Sequence, residues 1–151
     1  MTEVETIKFN LSLNPTYQIL APYIKVFVDD EMHYEGIIKK PTTVTFTTKL
    51  NFGSHKLKIV KEKTQPNQLL TIDAIEIDGV NIRDIVWNYS YNLPEYPEPW
   101  ASEQRASGIL LEEKVMGETC LGHNGTWILN FTSPFYMFVF DWMKANDKLV
   151  S

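Results

Sequence analysis

The stretch that decides the fold is residues 69–82, LLTIDAIEIDGVNI. Leu70, Ile72 and Ala74 fall on one parity and Ile75 and Ile77 on the other, with Asp73, Glu76 and Asp78 interleaved before Gly79. Period-two alternation puts apolar side chains on one face of a half-buried β-strand. The change of parity predicts a β-bulge, or a handover from one strand to the next, because one extra residue turns every later side chain to the opposite face. Asp78-Gly79 then predicts a tight turn into a returning strand over residues 80–87.

Working outward, the same alternation recurs. Residues 6–13 carry it on Ile7, Phe9, Leu11 and Leu13, and Asn14-Pro15 is expected to end that strand. Residues 23–28 and 32–38 predict a hairpin turning at Asp29-Asp30-Glu31, and residues 42–50 and 55–61 predict two more strands around Phe52-Gly53. Residues 108–116 and 126–131 are also strand-like. Ser133-Pro134 has the form of an N-cap followed by a first-turn proline, which predicts a helix over 135–144, with a final core strand as the alternative. The fold class expected is therefore all-β: a single antiparallel β-sandwich over residues 1–151, jelly-roll-like, of about eight strands with at most one short C-terminal helix.

Residues 89–107 read differently. Prolines 94, 97 and 99 exclude a central strand or a helix, which predicts a long stiffened loop, and loops of that kind are usually functional. Trp87, Tyr89, Tyr91, Tyr96 and Trp100 are the candidate binding residues. Such rings stack on sugars, anchor protein interfaces or fold back onto their own domain. Phe135, Tyr136, Phe138, Phe140 and Trp142 form a second, C-terminal interface candidate.

Charge narrows the partners. The net charge is -5 with a pI near 5.2, which argues against nucleic acid. Residues 1–68 hold nine lysines against seven carboxylates, whereas residues 69–151 hold five basic and twelve acidic residues. The acidic half suits a solvated face, a divalent cation or a basic partner. Were calcium bound, its ligands would come from Asp29, Asp30, Asp73 and Asp78, although no EF-hand-type loop is present and no cofactor is expected. Cys120 is the sole cysteine, expected as a small buried hydrophobe, and with His123 it supplies two of the four ligands zinc wants. His33, His55 and His123 show no catalytic spacing, so an enzyme is not expected. The N-terminus lacks a basic n-region and an apolar h-region, and no apolar run is long enough to span a bilayer, so no membrane association is expected.

Four segments together, PYIKVFVDDEMHYEG (22–36), TVTFTTKL (43–50), GSHKLKIVKEK (53–63) and LLTIDAIEIDGVNI (69–82), resemble the β-sandwich of xylan-binding-type carbohydrate-binding modules, as it recurs in structural proteins of tailed-bacteriophage virions. Residues 121–142, LGHNGTWILNFTSPFYMFVFDW, are similar to C-terminal segments of such phage proteins. Calcium-dependent members carry a long Asp- and Asn-rich loop where this chain has only KEKTQPNQ over residues 61–68. The resemblance implies a non-catalytic virion subunit, a capsid decoration or tail accessory protein made in the host cytoplasm. Its partners would be other virion proteins or further copies of itself. The alternative it implies is a module that binds host-surface or polysaccharide glycans.

Overall fold

The computed structural model describes residues 3–62 and 68–145. Among them the chain runs β1 (Val4–Thr16), β2 (Tyr23–Val28), β3 (Glu31–Ile37), β4 (Thr42–Asn51), β5 (Gly53–Glu62), β6 (Leu69–Ile77), β7 (Val80–Asn81), α1 (Arg83–Tyr89), β8 (Ser90–Glu95), α2 (Trp100–Ala106), β9 (Val115–Met116), β10 (Cys120–Leu121), β11 (Asn124–Ser133) and α3 (Phe135–Ala145). Eight of these strands are longer than two residues. One sheet has the order β10-β6-β1-β4, with β7 on the end of β6, and the other has the order β3-β2-β5-β11-β8-β9. Every pairing is antiparallel, and the result is the expected β-sandwich.

The parity change in β6 is a bulge. Ser12 pairs with Ala74 and Leu13 with Ile72, so Asp73 has no counterpart on β1 and points to solvent. Because of that extra residue, Leu70 and Ile72 before it and Ile75 and Ile77 after it are all buried in one core. The proline expected to end β1 does not. Pro15 pairs with Leu70, and this is tolerated because β4 begins opposite Leu13, leaving the last residues of β1 with a neighbour on one side only.

Two aspartates close the hairpins in the same way. Asp29 and Asp78 have φ of 54° and 51°, the left-handed conformation that tight hairpin turns demand. The N–H of Asp78 donates to the carbonyl of Lys8 (2.8 Å), and the N–H of Lys8 donates to Asp78 Oδ1 (2.8 Å). Asp29 repeats the exchange with Lys56, at 2.8 and 2.9 Å. Each turn is thereby clasped to the strand beside it.

The core between the sheets is aromatic at its centre. Phe9 stacks on Phe46 at 4.9 Å and meets Phe131 edge-on at 5.9 Å, while Trp127 is fully buried. Residue 135 begins the expected helix, but its start is satisfied by a different group. Glu5 Oε1, from β1, accepts both the Phe135 N–H (2.7 Å) and the Ser133 hydroxyl (2.5 Å). Ser133 is the last residue of β11 and caps nothing.

Four further local expectations are corrected. Residues 83–89 are helical where a returning strand was expected over 80–87, and Ile85 and Val86 pack into the core from that helix. Residues 89–107 are no continuous loop, since they include β8 and α2. Residues 108–114 carry no strand, and Leu110 is 83% exposed. Cys120 is exposed as well, because β10 sits on the sheet edge with Leu121 as its inward residue.

Candidate functional site

The outer face of the six-stranded sheet is built by strands that are apolar on both parities. Val26 and Val28 of β2 face the core, which turns Phe27 outward; Trp127 and Leu129 of β11 do the same to Ile128. In register across the sheet, Phe27 pairs with Lys58, Lys58 with Ile128, Ile128 with Tyr91, and Tyr91 with Met116. The next row is Lys25, Val60, Thr126 and Leu93. With strands about 4.8 Å apart, Phe27 and Tyr91 stand about 14 Å from each other.

Two depressions run along this face and share Asp29. One, of about 390 Å³, is floored by Val60, Thr126 and Ile128 and flanked by Phe27 and Leu93. The other, of about 400 Å³, lies between the Lys56–Asn130 pair and the rings of Tyr89 and Phe138. Ser54 to Val60 spans about 20 Å of strand, so the two depressions form a groove rather than a single hole. Lys56 Nζ donates to Asn130 Oδ1 (2.8 Å), Lys58 Nζ lies 3.9 Å from Asp30 Oδ1, and Lys114 Nζ sits 4.3 Å from the centroid of the Tyr91 ring. His55, at the groove's inner wall, faces Asp29 Oδ2 with Nδ1 (2.7 Å) and the Asn51 carbonyl with Nε2 (2.6 Å), so both ring nitrogens are occupied.

Four of the five aromatic candidates disperse to three places. Only Tyr91 lies on the outer face, and Tyr89 lies edge-on to Phe138 at 5.0 Å in the wall of the groove. Tyr96 and Trp100 gather instead around His123, at 5.1 and 5.5 Å, beside a cavity of about 250 Å³ between Glu95 and Asn124. The Tyr96 hydroxyl donates to the Glu112 carbonyl (2.6 Å), which anchors that cluster to the chain. Burial pushes the Tyr96 phenol up, and burial followed by the nearby Lys61 charge pushes His123 down. Trp87 lies on α1, but its side chain falls outside the described residues.

The C-terminal aromatics divide by helical face. Phe135, Phe138 and Trp142 are buried in this chain's own core, while Tyr136 and Phe140 are 69% and 48% exposed. Phe27, Lys58, Ile128 and Leu93 were not singled out from the sequence. The signal that could have found them is the unbroken apolar run, VFV in β2 and WIL in β11, inside strands otherwise read as one-faced.

No family model matches the chain, and neither does any curated protein. Two solved structures of the carbohydrate-binding module vCBM60 do match it. One is its selenomethionine form, from work linking two families of calcium-dependent carbohydrate-binding modules by circular permutation; its TM-score is 0.53 at 10% identity over 82% of this chain and 89% of that one. The other is vCBM60 in complex with galactobiose, with TM-score 0.53 and 10% identity over 83% of this chain and 97% of that one. The fold is that of a carbohydrate-binding-module β-sandwich.

Calcium does not fit the residues at hand. Asp29 and Asp78 each spend a carboxylate oxygen on a backbone N–H, and Asp29 gives its other oxygen to His55. Asp30 is fully exposed on the β2–β3 turn, and Asp73 points outward from the bulge on the other sheet. Among the described residues no three His, Cys, Asp or Glu side chains group as a metal site would require.

Proposed function

We propose that the chain is a non-catalytic glycan-binding module that holds a polysaccharide along the outer face of its six-stranded sheet. The observation that carries this is the groove itself, in which apolar side chains from β2, β5, β8 and β11 alternate with amide and ammonium groups. Sugar rings present apolar C–H faces and hydroxyl rims, and such a strip offers a surface for each. The carbohydrate-binding-module fold supports the reading. With both nitrogens of His55 occupied, the one histidine in the groove is not poised as a general base.

The test is binding to a panel of soluble polysaccharides by affinity gel electrophoresis, with isothermal titration on any that retard the protein. Retention that falls at least tenfold in a Phe27→Ala, Tyr91→Ala double variant of unchanged melting temperature supports the reading. Retention of no polysaccharide in the panel sinks it.

A second reading, a structural subunit of a tailed-phage virion, is favoured by one feature. On α3, Tyr136, Met137 and Phe140 are exposed at 69%, 42% and 48%, large apolar groups of the kind that assembly contacts cover. Light scattering on the purified chain tests it: a species larger than one chain, lost in Tyr136→Ser, Phe140→Ser, is expected, and a strict monomer argues against it.

A further inference from the structure

The chain carries a net charge of -5, yet Lys56 and Lys58 line the groove, with Lys25 in the row of Val60 and Lys114 against Tyr91 beside it. Two of these lysines have carboxylates close by. Glu62 lies 3.5 Å from Lys25, whose register partner on β3 is Glu35, and Asp30 lies 3.9 Å from Lys58 across an open turn, while Glu112 and Glu113 precede Lys114 in the chain. Asp29 is committed to the Lys56 backbone and to His55. The ammonium groups of Lys56 and Lys114 have neutral partners instead, the Asn130 amide and the Tyr91 ring. An ammonium has three donors, so Lys56 keeps two after its bond to Asn130.

The position of Lys114 bears on what kind of sugar this face suits. Its nitrogen is 4.3 Å from the centroid of Tyr91, so the cation is held against a ring of the outer face. A carboxylate or sulfate arriving beside that ring meets a charge already in place, which a neutral sugar does not use. Phe27, Val60 and Ile128 remain as the apolar floor for the rings between the charges. Building on the glycan-binding reading, we propose that the groove takes anionic polysaccharide, a chain of uronate or sulfated sugars whose negative groups meet the ammonium groups of Lys56 and Lys114.

The experiment uses matched backbones with the full chain: polygalacturonate against its fully methyl-esterified form, and a sulfated galactan against the same galactan desulfated. Affinity at least tenfold higher for one or both charged polymers is expected, falling steeply with added salt. The charged arm that wins tells carboxylate from sulfate. A Lys56→Gln, Lys114→Gln variant should lose that advantage with its melting temperature unchanged, and Phe27→Ala should weaken binding to the charged polymer as well. Equal affinity for charged and neutral forms, or a lysine variant that keeps the advantage, overturns the proposal while leaving the glycan-binding reading standing. Charged-polymer binding unaffected by Phe27→Ala means simple ion exchange and also overturns it. If none of the four polymers binds, the proposal falls, and the broader panel above decides the reading beneath it.

Discussion

Glu5 joins three parts of the molecule through one oxygen. It sits on β1 of the five-stranded sheet, yet its Oε1 accepts from the end of β11 in the other sheet and from the first N–H of α3. Hydrogen bonds to a charged acceptor contribute more than neutral ones, and the buried donors would be stranded without it. Glu5→Ala is therefore expected to cost about 2–4 kcal/mol in urea unfolding, and Glu5→Gln clearly less, because the amide oxygen still accepts. Equal losses in the two variants would show that packing, not this bond, matters there. Nothing in the sequence around Glu5 announces the role, since its partners lie some 130 positions away along the chain.

Lys61 makes a pH-dependent contribution whose sign is fixed. The side chain is 1% exposed, and burial pulls its pKa down from 10.5 to about 8. Below that value both the folded and unfolded chains hold the proton; between about 8 and 10.5 the unfolded chain holds more, so stability rises with pH. Tyr23, pushed up to about 12 by its hydrogen bond to Glu35, and Tyr96, raised by burial, act in the opposite sense once pH exceeds their ordinary value of 10.0. Melting temperature is thus expected to climb between about pH 7.5 and 9.5, and Lys61→Met to flatten that climb. A wild-type curve that is level or falling over this window contradicts the assignment.

At the scale of elements, the legible strands were those with one wet face. β1, β5 and β6 show their period of two plainly, and even the bulge could be read from the parity change at residues 74–75, because a buried face punishes any error of register. The bulge carries a sharp prediction. Deleting Asp73, the residue with no counterpart on β1, leaves Leu70, Ile72, Ile75 and Ile77 on a single parity, so β6 can pair with β1 as a regular strand and keep all four side chains inward. The deletion variant should therefore stay soluble and melt cooperatively, and Asp73→Asn should melt like the parent. A deletion variant that is insoluble or unfolded by circular dichroism would show that the bulge itself, and not the alternation, holds β6 in place. Unlike α3, which was expected over 135–144, the helices α1 and α2 were illegible for the converse reason: they have seven residues each and no side-chain cap, too short to be stable by propensity and held by packing alone. The groove was hidden because Phe27 and Ile128, flanked by core residues, look like more core until the sheet is seen to have a second apolar face.

At the scale of the whole molecule, the fold matches a calcium-dependent carbohydrate-binding module, but the carboxylates have been put to other uses. Asp29 and Asp78 clasp turns, Asp30 faces a lysine, and residues 63–67, KTQPN, contain no carboxylate at all. A folded-state ligand present at a hundred times its Kd adds about 2.7 kcal/mol of stability, which moves the melting point of a chain this size by several degrees. Millimolar calcium and excess chelator are therefore expected to give the same melting temperature, and polysaccharide binding is expected to survive the chelator. A calcium-dependent rise of several degrees would require a ligand set that these aspartates do not form in this arrangement. Loss of glycan retention in chelator would place recognition at such a site, away from the lysine-flanked groove.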